Sequence, residues 1–314
     1  MSAGKNAWYM NKALQHTFFR RYLLAGLIGL SLVAFSVSSQ ADYIEPGDVK
    51  VQTVAYKPGA EELTSGTYHY KVTWQGMPVA DAEIEVYPVS SASSPVRVVA
   101  RTKTKGLVAA FYKMKHRSES MFEKGTFRPV HYSSNQKERR KEKFREVDFK
   151  KDGLVRSARW REGRAKTVQE FRPENPLFDP ISAAFLAKSL DLRVGRKVSF
   201  DVFNGKHRYL IDFEVEKLER IKVKGQSVEA FKVVPSVQKL TDTEGEKKLK
   251  SAALWITADD SREILQVSSS VYIGSVVAKF DKFVASPGGM LEAHSVEDVD
   301  ADRAKARASL GDPG

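Results

Sequence analysis

From Thr67 to about residue 284 the chain repeats one device: short runs of alternating apolar and polar side chains, broken by turns. Tyr68, Tyr70, Val72 and Trp74 alternate with His69, Lys71 and Thr73, and Ala82, Ile84 and Val86 alternate with Asp81, Glu83 and Glu85. A period of two puts successive side chains on opposite faces of a strand, so each run predicts a half-buried strand. Turn signals separate the runs at Gly76-Met77-Pro78, Lys124-Gly125, Asp152-Gly153, Glu162-Gly163, Asn204-Gly205, Lys224-Gly225 and Ala258-Asp259-Asp260-Ser261. Asp-Gly and Asn-Gly between alternating runs are strong hairpin signals. Pro235 reads as an interruption of the run from Val228 to Leu240.

One stretch breaks the pattern. Phe178 to Leu190 holds Ile181, Ala184, Phe185, Leu186 and Leu190 at helical spacing, with no interior Gly or Pro after Pro180. Asp179 is a good N-cap, and Pro180 sits where its missing N–H costs nothing. The sequence therefore predicts a mostly β chain: a large curved antiparallel sheet, barrel-like or half-barrel, with one central helix near 180–190. No strand–helix–strand alternation points to a parallel sheet. A sheet of a dozen or more strands curls or splits. Its exposed strand positions carry charge at nearly every alternate residue, where a lipid-facing barrel needs an apolar band.

The first 41 residues carry four charges, Lys5, Lys12, Arg20 and Arg21, followed by an apolar run from Tyr22 to Phe35 and small residues before Asp42. This is the pattern of a cleaved signal peptide, too short to span a bilayer. It predicts export to the periplasm, by the general secretory route rather than a twin-arginine signal, since the residues around Arg20-Arg21 fit the latter poorly. The true start is either Met1 or Met10. With no cysteine in the chain, neither a disulfide framework nor a lipid-modified cysteine is expected, so the protein is expected to be neither a lipoprotein nor, once cleaved, an integral membrane protein. Removing 41 of 314 residues leaves 273. Residues 42–65 read as a lead-in, 66–285 as a single β-rich domain and 286–314 as a polar tail.

Removing the four leader cations from a net charge of +12 leaves +8. Residues 137–166 supply 13 Lys or Arg against 6 Asp or Glu, nearly all of that excess. Lys137, Arg139, Arg140, Lys141, Lys143 and Arg145 form one cluster, and Arg156, Arg159, Arg161 and Arg164 surround Trp160. Arg139, Arg140, Lys141, Arg156, Arg159, Arg161 and Arg164 are the candidate patch for an anionic partner. Behind a signal peptide that partner is lipid, lipopolysaccharide or peptidoglycan rather than nucleic acid. The interleaved Glu138, Glu142 and Glu146 favour the plainer reading of a solvated hairpin.

No residue set predicts catalysis, a metal or a cofactor. Ser182 has no histidine near it in sequence and no nucleophile elbow around it, so it reads as helix capping. His116 and His131 invite the idea of a shared metal across a hairpin, yet no ligand spacing supports it. Asp259-Asp260 and Asp242-x-Glu244 read as turn chemistry. The aromatic residues at strand positions either fill a core or line a cavity. Tyr68, Tyr70, Trp74, Phe185, Phe200, Tyr209, Phe213 and Trp255 are the candidate cavity wall.

Six short motifs together resemble a known family. Tyr70-x-Val72-x-Trp74-x-Gly76 is followed by Thr104-x-Gly106-Leu107, Asp179-Pro180-Ile181-Ser182-Ala183 and Arg193-x-Gly195, then by Leu254-Trp255-Ile256-Thr257-x-Asp259 and Gly274-Ser275-Val276. Their order over about residues 65–284 resembles the secreted bacterial family called domain of unknown function 3108. The resemblance implies an exported Gram-negative envelope protein rich in β structure, and no catalytic residues come with it. The charged region 137–166 departs from the simplest family pattern. The expected function is non-catalytic binding or carriage of an apolar or amphipathic envelope molecule, lipid or glycolipid-like. An alternative is an envelope assembly scaffold with a protein partner using the basic 137–166 surface, and a cell-wall hydrolase is the least favoured reading.

Overall fold

The computed structural model describes residues 63–91, 93–240, 251–270 and 274–286. The leader, most of the lead-in, Asp242, Glu244 and nearly all of the tail lie outside the described residues. The first eight strands are β1 (Gly66–Trp74), β2 (Met77–Val86), β3 (Val96–Thr104), β4 (Met114–Phe122), β5 (Pro129–Glu138), β6 (Lys141–Phe149), β7 (Val155–Arg161) and β8 (Thr167–Phe171). After a short link come β9 (Leu177–Phe178), β10 (Lys197–Phe203), β11 (Arg208–Val223), β12 (Gln226–Lys239), β13 (Ser251–Thr257), β14 (Ile264–Ser270) and β15 (Ser275–Ala285). Helix α1 (Gly106–Phe111) joins β3 to β4, and helix α2 (Pro180–Lys188) joins β9 to β10.

All fifteen strands form one sheet, ordered β8 to β1 and then β15 down to β9. Every pairing is antiparallel except β9 with β10. The first and last strands meet in the middle, with Val72 opposite Ala278, so the two outer edges are β8 and β9, consecutive in sequence. These edges approach each other without a β8–β9 ladder. Phe171 packs edge-on against Phe203 with ring centres 5.2 Å apart. Ser157 Oγ donates to the Gly205 carbonyl at 2.9 Å. Arg208 bonds Asp201 at 2.5 Å and Glu174 at 3.0 Å, which anchors the β8–β9 link to β10 and β11. Gly205 lies at φ +83, and a Cβ there would stand 3.1 Å from Arg145 Cβ and 3.3 Å from Val147 Cγ2. The seam closes only over a glycine.

The ribbon curls around α2, whose residues from Pro180 to Ala187 are all buried. A helix apolar on every side must be enclosed rather than laid on a surface. Its first turn is held by a capping box: the Asp179 carboxylate accepts from the amides of Ile181 at 2.8 Å and Ser182 at 3.1 Å, and Ser182 Oγ accepts from the Asp179 amide at 3.1 Å. Phe185 reaches Phe122 of β4 with ring centres 5.7 Å apart.

Three local expectations change. The sequence predicts one helix, and the structure adds α1, whose first turn follows Lys105 with no side-chain cap. Pro235 does not interrupt β12. It pairs opposite Phe213 of β11, while among the described residues β13 pairs with β12 only across Ala230–Val233, so the proline falls where no ladder bond is asked of its missing N–H. The first turn is Gln75-Gly76, and Met77 and Pro78 already belong to β2.

Candidate functional site

The helix divides the interior into two unlike halves. On the side of β10–β15 and β1 lies a partly open cavity of about 60 Å³. Ala184 and Ala187 of α2 leave the space that Tyr70, Phe213, Leu254 and Ile256 surround. Small helix residues opposite large strand residues produce a hollow where larger ones would interdigitate. Three polar residues reach it. Arg196 is bound to Asp191 by a 2.7 Å hydrogen bond to the carbonyl. The other two are Ser268 and Ser269, and among the described residues the buried Ser269 hydroxyl has no hydrogen-bond partner.

Of the aromatic residues singled out in the sequence, Tyr70 and Phe213 line this cavity, and the Tyr70 hydroxyl donates to the Ile264 carbonyl at 3.1 Å. Burial pushes the Tyr70 phenol far above its ordinary range, so it stays a neutral donor. Tyr68, Phe185, Phe200 and Tyr209 are buried in the packed core. Phe200 lies between Phe178 and Phe213, and Tyr68 tilts against Phe283. Trp74 packs half-buried on the rim of the core at the end of β1. Trp255 faces outward, where its indole N–H donates to Glu219 at 2.8 Å, while its neighbours Leu254 and Ile256 face the cavity. The alternation of Leu254, Trp255 and Ile256 carries that assignment in the sequence. Sequence reasoning missed the aliphatic part of the wall, Val215, Leu254 and Ile256 among it, and the small helix residues Ala184 and Ala187.

On β3–β7 a strip of polar side chains runs among the apolar core residues Met114, Phe122, Tyr132 and Val147. Ser120 Oγ donates to the Asp179 carboxylate at 2.6 Å. His116 Nε2 lies 2.9 Å from Ser134 Oγ and 3.2 Å from Ser118 Oγ. Burial, aided by the nearby Arg145 charge, pushes His116 down to about 3, so the ring is neutral. His116 stands opposite Gln136, whereas His131 stands opposite Met121 and bonds Asp148 at 2.9 Å. The two histidines therefore do not face each other. Among the described residues no group of three or more His, Cys, Asp or Glu could hold a metal. Ser182 serves the capping box. Asp259 bonds Thr257 and Ser261 within its turn, which holds its carboxyl below the ordinary value.

The basic stretch is split by the sheet. Arg139 sits in the β5–β6 turn at φ +54, its guanidinium donating to the Phe111 carbonyl at 2.6 Å, with Arg140 exposed beside it. Arg156 faces outward and pairs with Glu170 at 3.4 Å. Trp160 is also on the outer face, stacked on Phe144 with ring centres 5.1 Å apart and capped by Lys166. Lys141, Arg159 and Arg161 share the inner face with Val147 and Ser157, and Arg164 is exposed in the β7–β8 turn.

The fold and its buried plug define a class: an open, curled, barrel-like β sheet wrapped around one short helix. The chain belongs to the family described as "Protein of unknown function (DUF3108)", whose model matches residues 69–281. Among solved structures it is similar to a β-barrel-like protein of the DUF1849 family from Brucella abortus, at 8% identity and a TM-score of 0.50, covering 74% of this chain and all of that one. A provisionally assigned lipoprotein from Parabacteroides distasonis aligns at 10% identity and a TM-score of 0.33, again over 74% of this chain and all of its own. No curated protein matches the chain. At such identities the likeness to the Brucella protein is one of fold alone.

Proposed function

We propose that this protein is an exported, non-catalytic binding or carrier module of the periplasm that holds one chain of an apolar or amphipathic envelope molecule, lipid or glycolipid-like, against the buried helix. The observation that carries the reading is the cavity between α2 and β10–β15, walled by Ala184, Ala187, Tyr70, Phe213, Leu254 and Ile256. At about 60 Å³ it falls below the ~300 Å³ at which pockets for drug-sized ligands begin. It therefore suits a section of a narrow hydrocarbon chain rather than a ring system. The unsatisfied Ser269 hydroxyl at its wall is suited to an ester or hydroxyl oxygen along such a chain. Export rests on the leader pattern in residues 1–41.

Native mass spectrometry after gentle purification tests the reading. A discrete added mass, lost on extraction with organic solvent, is the expected result. A clean unliganded mass from several independent preparations would count against it.

A further inference from the structure

Two cross-strand pairs of like charge stand side by side on the inner face of β6 and β7. Arg145 lies opposite Arg159, and Lys143 opposite Arg161. Residues directly opposite in an antiparallel pair project to the same face, and like charges there are destabilising. The face is fixed by its neighbours: Val147 in the same row set is fully buried, Ser157 bonds the Gly205 carbonyl, and Arg145 Nη1 reaches the Asn204 carbonyl at 3.4 Å. Lys143 has a carboxylate, Glu138, at 3.0 Å. Arg145, Arg159 and Arg161 have none within ion-pair distance among the described residues, although Arg145 and Arg159 are half-buried.

The polar rows continue inward across the sheet. Arg145 is opposite Ser134, which is opposite Ser118. Lys143 is opposite Gln136, then His116, then Thr102. Thr102 is 3% exposed, and its hydroxyl has no hydrogen-bond partner among the described residues. A sheet that buries this face needs apolar residues on it for packing, yet these rows carry cations where they are more exposed and hydroxyls where they are buried.

We infer that the inner face of β6–β7 is a binding site for a phosphate group, held by the guanidinium groups of Arg145 and Arg159 with Arg161 beside them. Guanidinium forks match phosphate oxygens in pairs, and a dianion between opposed arginines turns their mutual repulsion into attraction. The inference deepens the carrier reading by supplying a polar end for the ligand, and the experiment separates the two.

Calorimetric titration of the whole protein uses three probes: inorganic phosphate, decyl phosphate below its micelle concentration, and decyl maltoside as the neutral chain control. Wild type is expected to bind decyl phosphate, more weakly as salt rises. Arg159→Gln and the double variant Arg145→Gln/Arg159→Gln are each expected to lose at least tenfold. Among the described residues Arg159 has no bonded partner to lose, so Arg159→Gln should melt no lower than wild type. A site on which the fold depended would show the reverse. Equal binding of inorganic and decyl phosphate, both lost in the double variant, would support the site while removing the carrier reading. Binding of decyl maltoside with neither phosphate probe bound would overturn the site and leave the carrier reading intact. Unchanged decyl phosphate affinity in the double variant would also overturn the site.

Discussion

Ser120 on β4 donates to the Asp179 carboxylate at 2.6 Å, so the residue that caps the central helix is also the one that ties it to the sheet. Asp179 is completely buried. Burial raises its carboxyl pKa, while Ser120, Ser182 and the first-turn amides pull the other way. Asp179→Ala removes the cap, worth about 1 kcal/mol, and strands the buried Ser120 hydroxyl, worth about 1–3 kcal/mol more. Denaturant unfolding should show a total loss of about 2–4 kcal/mol. Asp179→Asn keeps the acceptor for the amides and should cost clearly less.

His116 should make the fold sensitive to mild acid. Its folded value of about 3 lies below the ordinary 6.5, so the unfolded chain binds the proton more readily. Stability from this group is complete above pH 6.5 and is lost as pH falls from there toward 3, at up to about 1.4 kcal/mol per pH unit. His116→Gln should flatten that part of the stability–pH curve. An unchanged slope in the variant would show that other groups set it.

Lys188 ends the helix with its ammonium 5.4 Å from the Phe185 ring centre and 5.9 Å from that of Tyr68. Burial lowers it to about 8 from 10.5, with Glu263 opposing the shift. Between those values the unfolded chain holds the proton and the folded one does not, so stability rises with pH across that window. Below pH 8 the full cost of the buried charge is present. Lys188→Met is therefore expected to raise stability by about 1–3 kcal/mol at pH 7, and the gain should shrink as pH rises from 8 to 10.5. Thermal melts across that range check it.

Gly205→Ala tests the seam between the sheet edges. The alanine would sit at φ +83 with its Cβ 3.1 Å from Arg145 Cβ. A loss of about 1–3 kcal/mol is expected from backbone strain, with faster amide exchange in β6, β7 and the β10–β11 turn. Protection unchanged in β6 and β7 would mean that the seam does not hold those strands.

Much of this architecture is legible in the chain. Tyr68, Tyr70 and Val72 mark the inner face of β1 by alternation alone, and Asp179-Pro180 marks the start of the helix. What escapes is local or relational. Helix α1 is six residues long and lacks a capping side chain at Lys105, so its Leu107-Val108-Ala109-Ala110 run carries no start signal. Pro235 reads as a break until it is known that, among the described residues, β13 pairs with β12 only at Ala230–Val233 and leaves that position unpaired. The cavity depends on where residues are small, Ala184 and Ala187, and aromatic content points instead to well-packed positions such as Phe200 and Tyr209. The Arg145–Arg159 opposition is a matter of register across β6 and β7, which composition does not encode.

The central claim is that the hollow beside Ala184 and Ala187 receives one hydrocarbon chain. Titrating delipidated protein with a fluorescent polyene fatty acid, for wild type and for the cavity-filling Ala187→Leu, measures it directly. The account predicts one bound chain per wild-type molecule and at least a tenfold weaker affinity in Ala187→Leu at an unchanged or higher melting temperature. Equal affinity in the two proteins, or no saturable binding to wild type, would contradict it.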